Sequence, residues 1–134
     1  MVKYLSEEWV TQAKKKVLTE LDKKADLKNM TMTLLNVVEN SPPEQKTIYF
    51  YIRFVDGTLE ELLASPDLSI KEKPAEFITT GDYTTFVQIS RGQMSSAMAL
   101  LKNRVKMTNK MKALTITKPI DTFNGCISKI NTEY

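Results

Sequence analysis

Ser90, Ser95 and Ser96, the carboxylates Glu60, Glu61, Asp67, Glu72 and Glu76, and the lone thiol Cys126 are where covalent or acid–base chemistry could start in this 134-residue chain. A serine or cysteine nucleophile needs a base within hydrogen-bond reach, most often an imidazole. The chain has no histidine, so hydrolysis by a histidine-assisted serine or cysteine is excluded, and the commonest metal ligand is missing. One cysteine allows neither an intrachain disulfide nor a thiolate metal cluster; Cys126 reads as a buried, inert thiol. The serines lie near a lysine and an arginine, but no elbow motif surrounds them, and Ser95 reads better as a helix cap. The carboxylates fall on stretches that read as strand and loop surface, where nothing in the sequence buries them into an acid/base pair. Gly81 and Gly92 form no phosphate-binding fingerprint. The expectation is a protein that is not an enzyme and uses no cofactor or metal.

The window from Gly81 to Met111 carries adaptable apolar side chains, including four of the seven methionines. Asp82 can cap a helix whose inner residues would be Tyr83, Phe86, Val87 and Ile89, and Gly92 can stop it in the left-handed conformation. Met94, Ala97, Met98 and Leu101 follow at three- and four-residue steps, which predicts one helical face. Arg104 to Met111 reads as an alternating strand and a turn.

The elements around this window are legible from their periods. Ser6 caps a helix carrying Glu7 and Glu8 in its first turn. Leu5 and Val10 have hydrophobic-staple spacing, and Trp9, Ala13, Val17 and Leu21 form the apolar stripe of a helix of about four turns ending near Lys24. Met30 to Glu39 reads as a strand and Asn40–Glu44 as a loop. Thr47–Val55 is the strongest strand, with Ile48, Phe50, Ile52 and Phe54 on one face and Tyr49, Tyr51, Arg53 and Val55 on the other. Asp56-Gly57 turns it into a hairpin with Thr58–Ala64. The polar stretch Ser65–Lys73 crosses to a strand at Ala75–Thr80. Pro119 suits a first helical position, with Ile120, Phe123, Ile127 and Ile130 on the inner side of a final helix and Gly125 on its outer side. Leu114-Thr115-Ile116-Thr117 alone passes for a strand. The sum is an α+β fold of about five strands with helices covering one face of the sheet. Phe77, Phe86, Ile89, Met94, Met98, Leu101, Met107, Met111, Leu114, Ile120, Phe123 and Ile127 are the residues expected to point into the apolar layer between them.

The order helix, glycine, short helix, basic strand, turn and methionine resembles the sterol carrier protein 2 family. The resemblance rests on Leu100-Leu101-Lys102-Asn103-Arg104-Val105-Lys106-Met107-Thr108-Asn109-Lys110-Met111, with Asn109 where the family usually has glycine. It rests also on Pro74-Ala75-Glu76-Phe77-Ile78-Thr79-Thr80, with Glu76 in place of an aspartate. It covers most of the chain by order of elements and is sharp only from about Ala75 onward. It implies one lipid-binding domain over residues 1–134, with an apolar tunnel between sheet and helices lined by the twelve residues above and closed by the C-terminal helix from Pro119, its lid. It also implies a short helix or irregular turn at Ala113–Thr117, against the strand that propensity allows there.

At 134 residues, 42% hydrophobic and 26% charged, the chain has the composition of one globular domain. No apolar run approaches the ~18 residues that span a bilayer, and the start lacks the apolar core of a signal peptide. Asn131-Thr132-Glu133-Tyr134 is no peroxisomal address. A cytoplasmic location is the expectation. The net charge of +3 does not indicate nucleic acid. The clusters Lys14-Lys15-Lys16, Lys23-Lys24 and Lys102, Arg104, Lys106, Lys110, Lys112 read as solvated faces, or as a weakly basic rim touching anionic headgroups or an acidic ligand. Tyr49, Tyr51 and Arg53 would form a wet or partner-facing side of the sheet. The leading expectation is non-catalytic binding and transfer of a hydrophobic small molecule (sterol-like, fatty-acyl or isoprenoid) by a monomer or homodimer. The alternative is an accessory protein using the same fold to dimerise or dock on an enzyme. A nucleic-acid module is the distant third.

Overall fold

The computed structural model describes residues 1–134. Its centre is a five-stranded mixed sheet in the order β4-β3-β2-β5-β6, built from β2 (Met32–Ser41), β3 (Lys46–Val55), β4 (Thr58–Ser65), β5 (Phe77–Asp82) and β6 (Val105–Met107). Only β2 and β5 run parallel; the other neighbours are antiparallel. Such a pair needs a long connection, and the β3–β4 hairpin with the Ser65–Lys73 crossing supplies it. The hairpin turns at Asp56-Gly57, both at positive φ.

On one face lie α1 (Glu7–Glu20), α2 (Tyr83–Ser90), α3 (Ser96–Leu101), α4 (Lys110–Ala113) and α5 (Thr117–Ile127). The α+β fold with helices over one face is as the periods predict. Ser6 caps α1 by accepting from Trp9 N–H, and Trp9, Ala13 and Val17 are fully buried. The helix stops four residues earlier than expected. Leu21 turns extended, because the Asp22 carboxylate accepts from the Lys24 and Ala25 amides and holds a separate turn; the lysines therefore lie mid-helix and the last turn has none. At the end of α2, Gly92 sits at φ +74°, with Gly92 N–H bonded to Ile89 O and Gln93 N–H to Gln88 O. That paired pattern satisfies the last carbonyls and needs the left-handed residue.

Ala113–Thr117 is helical throughout: a 3-10 turn over Leu114–Ile116 joins α4 to α5. The strand that propensity allowed is absent, because Asn109 at φ +53° redirects the chain out of β6 into a helical turn. Asn109 also donates from Nδ2 to the Glu76 carbonyl at 2.9 Å, a bond glycine could not make. Pro119 is the third residue of α5, not the first.

The expected wet side of the sheet is partly dry. A 3-10 turn at Leu68–Glu72 folds over the far face, where Leu35, Tyr49, Tyr51 and Ile70 form a second buried cluster. Tyr51 donates its hydroxyl to Pro74 O at 2.8 Å, and Glu61 bridges Arg53 and Lys73 at 2.9 and 3.0 Å. The ends of the chain pair as a small parallel sheet, β1 (Val2–Lys3) with β7 (Thr132–Glu133), which two-residue segments could not announce in sequence. No helix is long and apolar enough to cross a membrane.

Candidate functional site

Three rows of side chains on the helix-covered face of the sheet set the floor of the site. Register places Ile52, Leu34 and Phe77 in one row, Phe50, Asn36, Thr79 and Met107 in the next, and Ile48, Val38, Gly81 and Val105 in the third. Above these rows stand Phe86 and Ile89 from α2, Ser96, Ala99 and Leu100 from α3, Ala113 from α4, Ile116 and Thr117 from the following turns, and Ile120, Phe123 and Asn124 from α5. Between them lies a cavity of about 70 Å³, and no charged side chain lines it. Its floor residues Leu34, Asn36, Phe50, Ile52 and Thr79 are all buried, whereas Ile89, Ser96, Met107, Ile116, Thr117 and Asn124 are half-buried. The open side therefore faces the helices and the edge strand, not the sheet.

Of the twelve residues expected in the apolar layer, Phe86, Ile89, Met107, Ile120 and Phe123 line the cavity. Phe77 and Ile127 are buried in the main core beside it, and Met94 and Leu114 pack half-buried against that core. Met98, Leu101 and Met111 are corrections: they are 44%, 64% and 80% exposed. The hexapeptide of α3, Ser-Ala-Met-Ala-Leu-Leu, is apolar nearly all round, so spacing alone does not choose its inner face. A tie from α5 chooses it: the Asp121 carboxylate accepts from both the Ser96 amide and the Ser96 hydroxyl at 2.7 Å. With Ser96 turned inward, Ala99 and Leu100 follow at i+3 and i+4, and Met98 and Leu101 face out.

The floor was missed in sequence, although a signal existed. Met32, Leu34, Asn36 and Val38 occupy the inward positions of β2, and Asn36 breaks an otherwise apolar alternation. Asn36 and Thr79, neighbours across the parallel β2–β5 pair, are each 6% exposed. Asn36 donates from Nδ2 to Phe50 O at 3.3 Å.

Of the serines, Ser96 stands at the cavity wall and gives its hydroxyl to Asp121; several other candidate groups are committed elsewhere. The Lys73 and Arg53 cations hold the Glu61 carboxyl below its ordinary range. Glu76 pairs with Lys112 at 2.6 Å, and Asp67 caps the 3-10 turn by accepting from Ser69 N–H. Ser95 caps α3, and Ser90 shares a 2.9 Å bond with the Tyr134 hydroxyl. Burial pushes the Cys126 thiol up, away from the thiolate that reactivity needs. No cluster of three or more histidine, cysteine or acidic side chains could hold a metal ion.

No protein-family model matches the sequence, and no curated protein matches it either. Solved structures do match in shape. The crystal structure of a sterol carrier protein 2 superposes with a TM-score of 0.78 at 14% identity, covering 95% of this chain and 98% of its own. The solution structure of a conserved hypothetical protein from Thermus thermophilus gives 0.78 at 13% identity, covering 99% and 93%. The apo form of sterol carrier protein 2 from Yarrowia lipolytica gives 0.56 at 15%, covering 93% and 98%. The chain has the sterol carrier protein 2 fold.

Proposed function

We propose that residues 1–134 act as one non-catalytic lipid-binding module that carries a hydrophobic small molecule between its sheet and helices, in the cytoplasm. The observation that carries this reading is the uncharged, largely apolar cavity on the helix-covered face, in a fold shared with structures described as sterol carrier proteins. The cavity is small. An apolar cavity of about 150 Å³ takes a benzene, so a chain-length ligand must displace part of the wall. A ten-carbon chain offers about 8 kcal/mol of gross burial, enough to offset a local opening.

The lid in this reading is α3 with α4, not the C-terminal helix. Phe123 of α5 is fully buried, with its ring edge-on to Phe54 at 5.7 Å, and Ile127 is buried with it; removing that helix would dismantle the core. By contrast, α3 is six residues long and exposes Met98 and Leu101. With Met111, Lys102, Lys110 and Lys112 these exposed residues support brief contact with an anionic membrane surface during delivery. Replacing Met98 and Leu101 by glutamate is then expected to slow transfer between anionic vesicles several-fold while leaving the dissociation constant unchanged.

Native mass spectrometry of the purified protein, with extraction of any bound lipid and displacement of the dye Nile red, tests the main reading. A co-purifying or titratable lipid at one per chain is expected. A protein that is empty and displaces no dye with any lipid overturns it and favours an accessory role, docking on an enzyme or on a second copy.

A further inference from the structure

The row Phe50–Asn36–Thr79–Met107 places two polar side chains in the floor of an apolar cavity, between rows that are wholly apolar there. A buried polar group is ordinarily bonded, and one left without a partner costs stability. Asn36 uses one N–H on the Phe50 carbonyl. Its Oδ1 and the Thr79 hydroxyl make no hydrogen bond to the protein, yet neither is sealed off, since the one side-chain polar atom both sealed and unbonded is Trp9 Nε1. On residues only 6% exposed, both atoms are therefore left open beside the cavity they line. Together they offer donors and an acceptor in neighbouring register positions at the end of the cavity farthest from its open side. No lysine or arginine reaches the cavity, so a carboxylate driven to that floor would lose its water without gaining a counter-charge, which is strongly unfavourable.

We infer that the cavity selects neutral lipids bearing a hydroxyl or carbonyl oxygen on the end that enters first, and that Asn36 and Thr79 are the residues that receive it. The inference rests on the lipid-binding reading above and narrows it: acids and their salts are disfavoured, and chains with no polar atom leave the two side chains unpaired. Asparagine suits the role because its amide can donate and accept at once, so it serves an alcohol and a ketone alike. In the ligand-free protein these atoms are open to water; a ligand oxygen replaces that water with a hydrogen bond, whereas an alkane displaces it and pairs nothing.

The test compares 1-decanol, decanoate and decane as competitors of Nile red on the full chain at pH 8, in the wild type and in Asn36→Leu and Thr79→Val. In the wild type, 1-decanol is expected to bind tightest of the three. Asn36→Leu, which keeps the size and removes the amide, is expected to weaken 1-decanol about tenfold or more relative to decane, and Thr79→Val to do so less. Should Asn36→Leu fail to fold, Thr79→Val and the wild-type ranking decide. Decanoate binding as tightly as 1-decanol, or an alcohol-to-alkane ratio unmoved by either substitution, overturns the inference and leaves the lipid reading standing. Displacement by none of the three compounds overturns both.

Discussion

Gly81 sits inside the third row of the floor, paired with Val38 on one side and Val105 on the other. A Cβ added there would meet Val105 Cγ1 at 2.9 Å and Phe86 Cε2 at 3.2 Å, so the β5 glycine is what lets α2 and β6 close around the cavity. Gly81→Ala must push Val105 or Phe86, both cavity walls, off their rotamers. Overpacking of this kind costs about 1–3 kcal/mol, and the substitution is expected to lower the urea midpoint and weaken Nile red binding together. A lowered midpoint with unchanged dye affinity would show that the strain is relieved outside the cavity. At this scale the sequence was half legible. Phe86, Ile89, Ile120 and Phe123 follow from helical spacing, and Met107 from its strand. Asn36 was visible as a break in period, but its meaning depends on Thr79, which is far along the chain and meets it only through strand register.

The short helix α3 depends on a residue outside it. Six residues are too few for a stable isolated helix, and its own cap at Ser95 settles where it starts but not which side faces in. The Asp121 carboxylate on α5 does that through its two 2.7 Å bonds to Ser96. Asp121→Ala is expected to cost about 1–3 kcal/mol and to raise the rate of ligand release more than tenfold, read by stopped-flow dilution of Nile red. Rates of entry and release both left unchanged would place α3 beside the path and not across it. A chain ending at Lys118, in turn, is expected to be unfolded by circular dichroism, since it lacks Phe123 and Ile127; a folded truncation that no longer retains ligand would return the lid to α5. The helix and hairpin signals of α1, α2 and β3–β4 were legible because periodicity and caps act within one turn. The inner face of α3 was not legible, because a contact 25 residues distant sets it, and neither was the cover over Tyr49 and Tyr51, which comes from a polar segment with only Ile70 to bury.

For the molecule as a whole, the absence of histidine leaves no side chain with an ordinary pKa between about 5 and 8, so the groups that tune stability lie at the two ends of the pH scale. On the acid side, hydrogen bonds from Thr84 and Asn40 hold the Asp82 carboxyl down, the Ala25 amide does so for Asp22, Ser69 for Asp67, and Lys73 with Arg53 for Glu61. A carboxyl whose folded pKa is depressed contributes stability above its unfolded value, lost as pH falls through the folded one. These carboxyls cap α2, hold the turn after α1, and pin the crossing over the far sheet face. On the alkaline side, burial pushes the Tyr4 phenol far up, reinforced by Tyr134 and Tyr83 beside it; burial likewise raises Tyr83 and Tyr51. A raised folded pKa works in the other direction: the stability is whole below the unfolded value of 10.0 and is lost as pH rises above it. Tyr4 lies against Trp9 and Tyr134 at 5.0 Å, where the paired chain ends meet α1. Alkali is therefore expected to release the termini together with the aromatic core under α1. Urea unfolding followed by Trp9 fluorescence should give a flat plateau from about pH 5 to 9, falling below about pH 4 and above about pH 10. Tyr4→Phe should move the alkaline fall upward and leave the acid fall in place. An alkaline fall that Tyr4→Phe does not move would assign it to Tyr51 and Tyr83 instead.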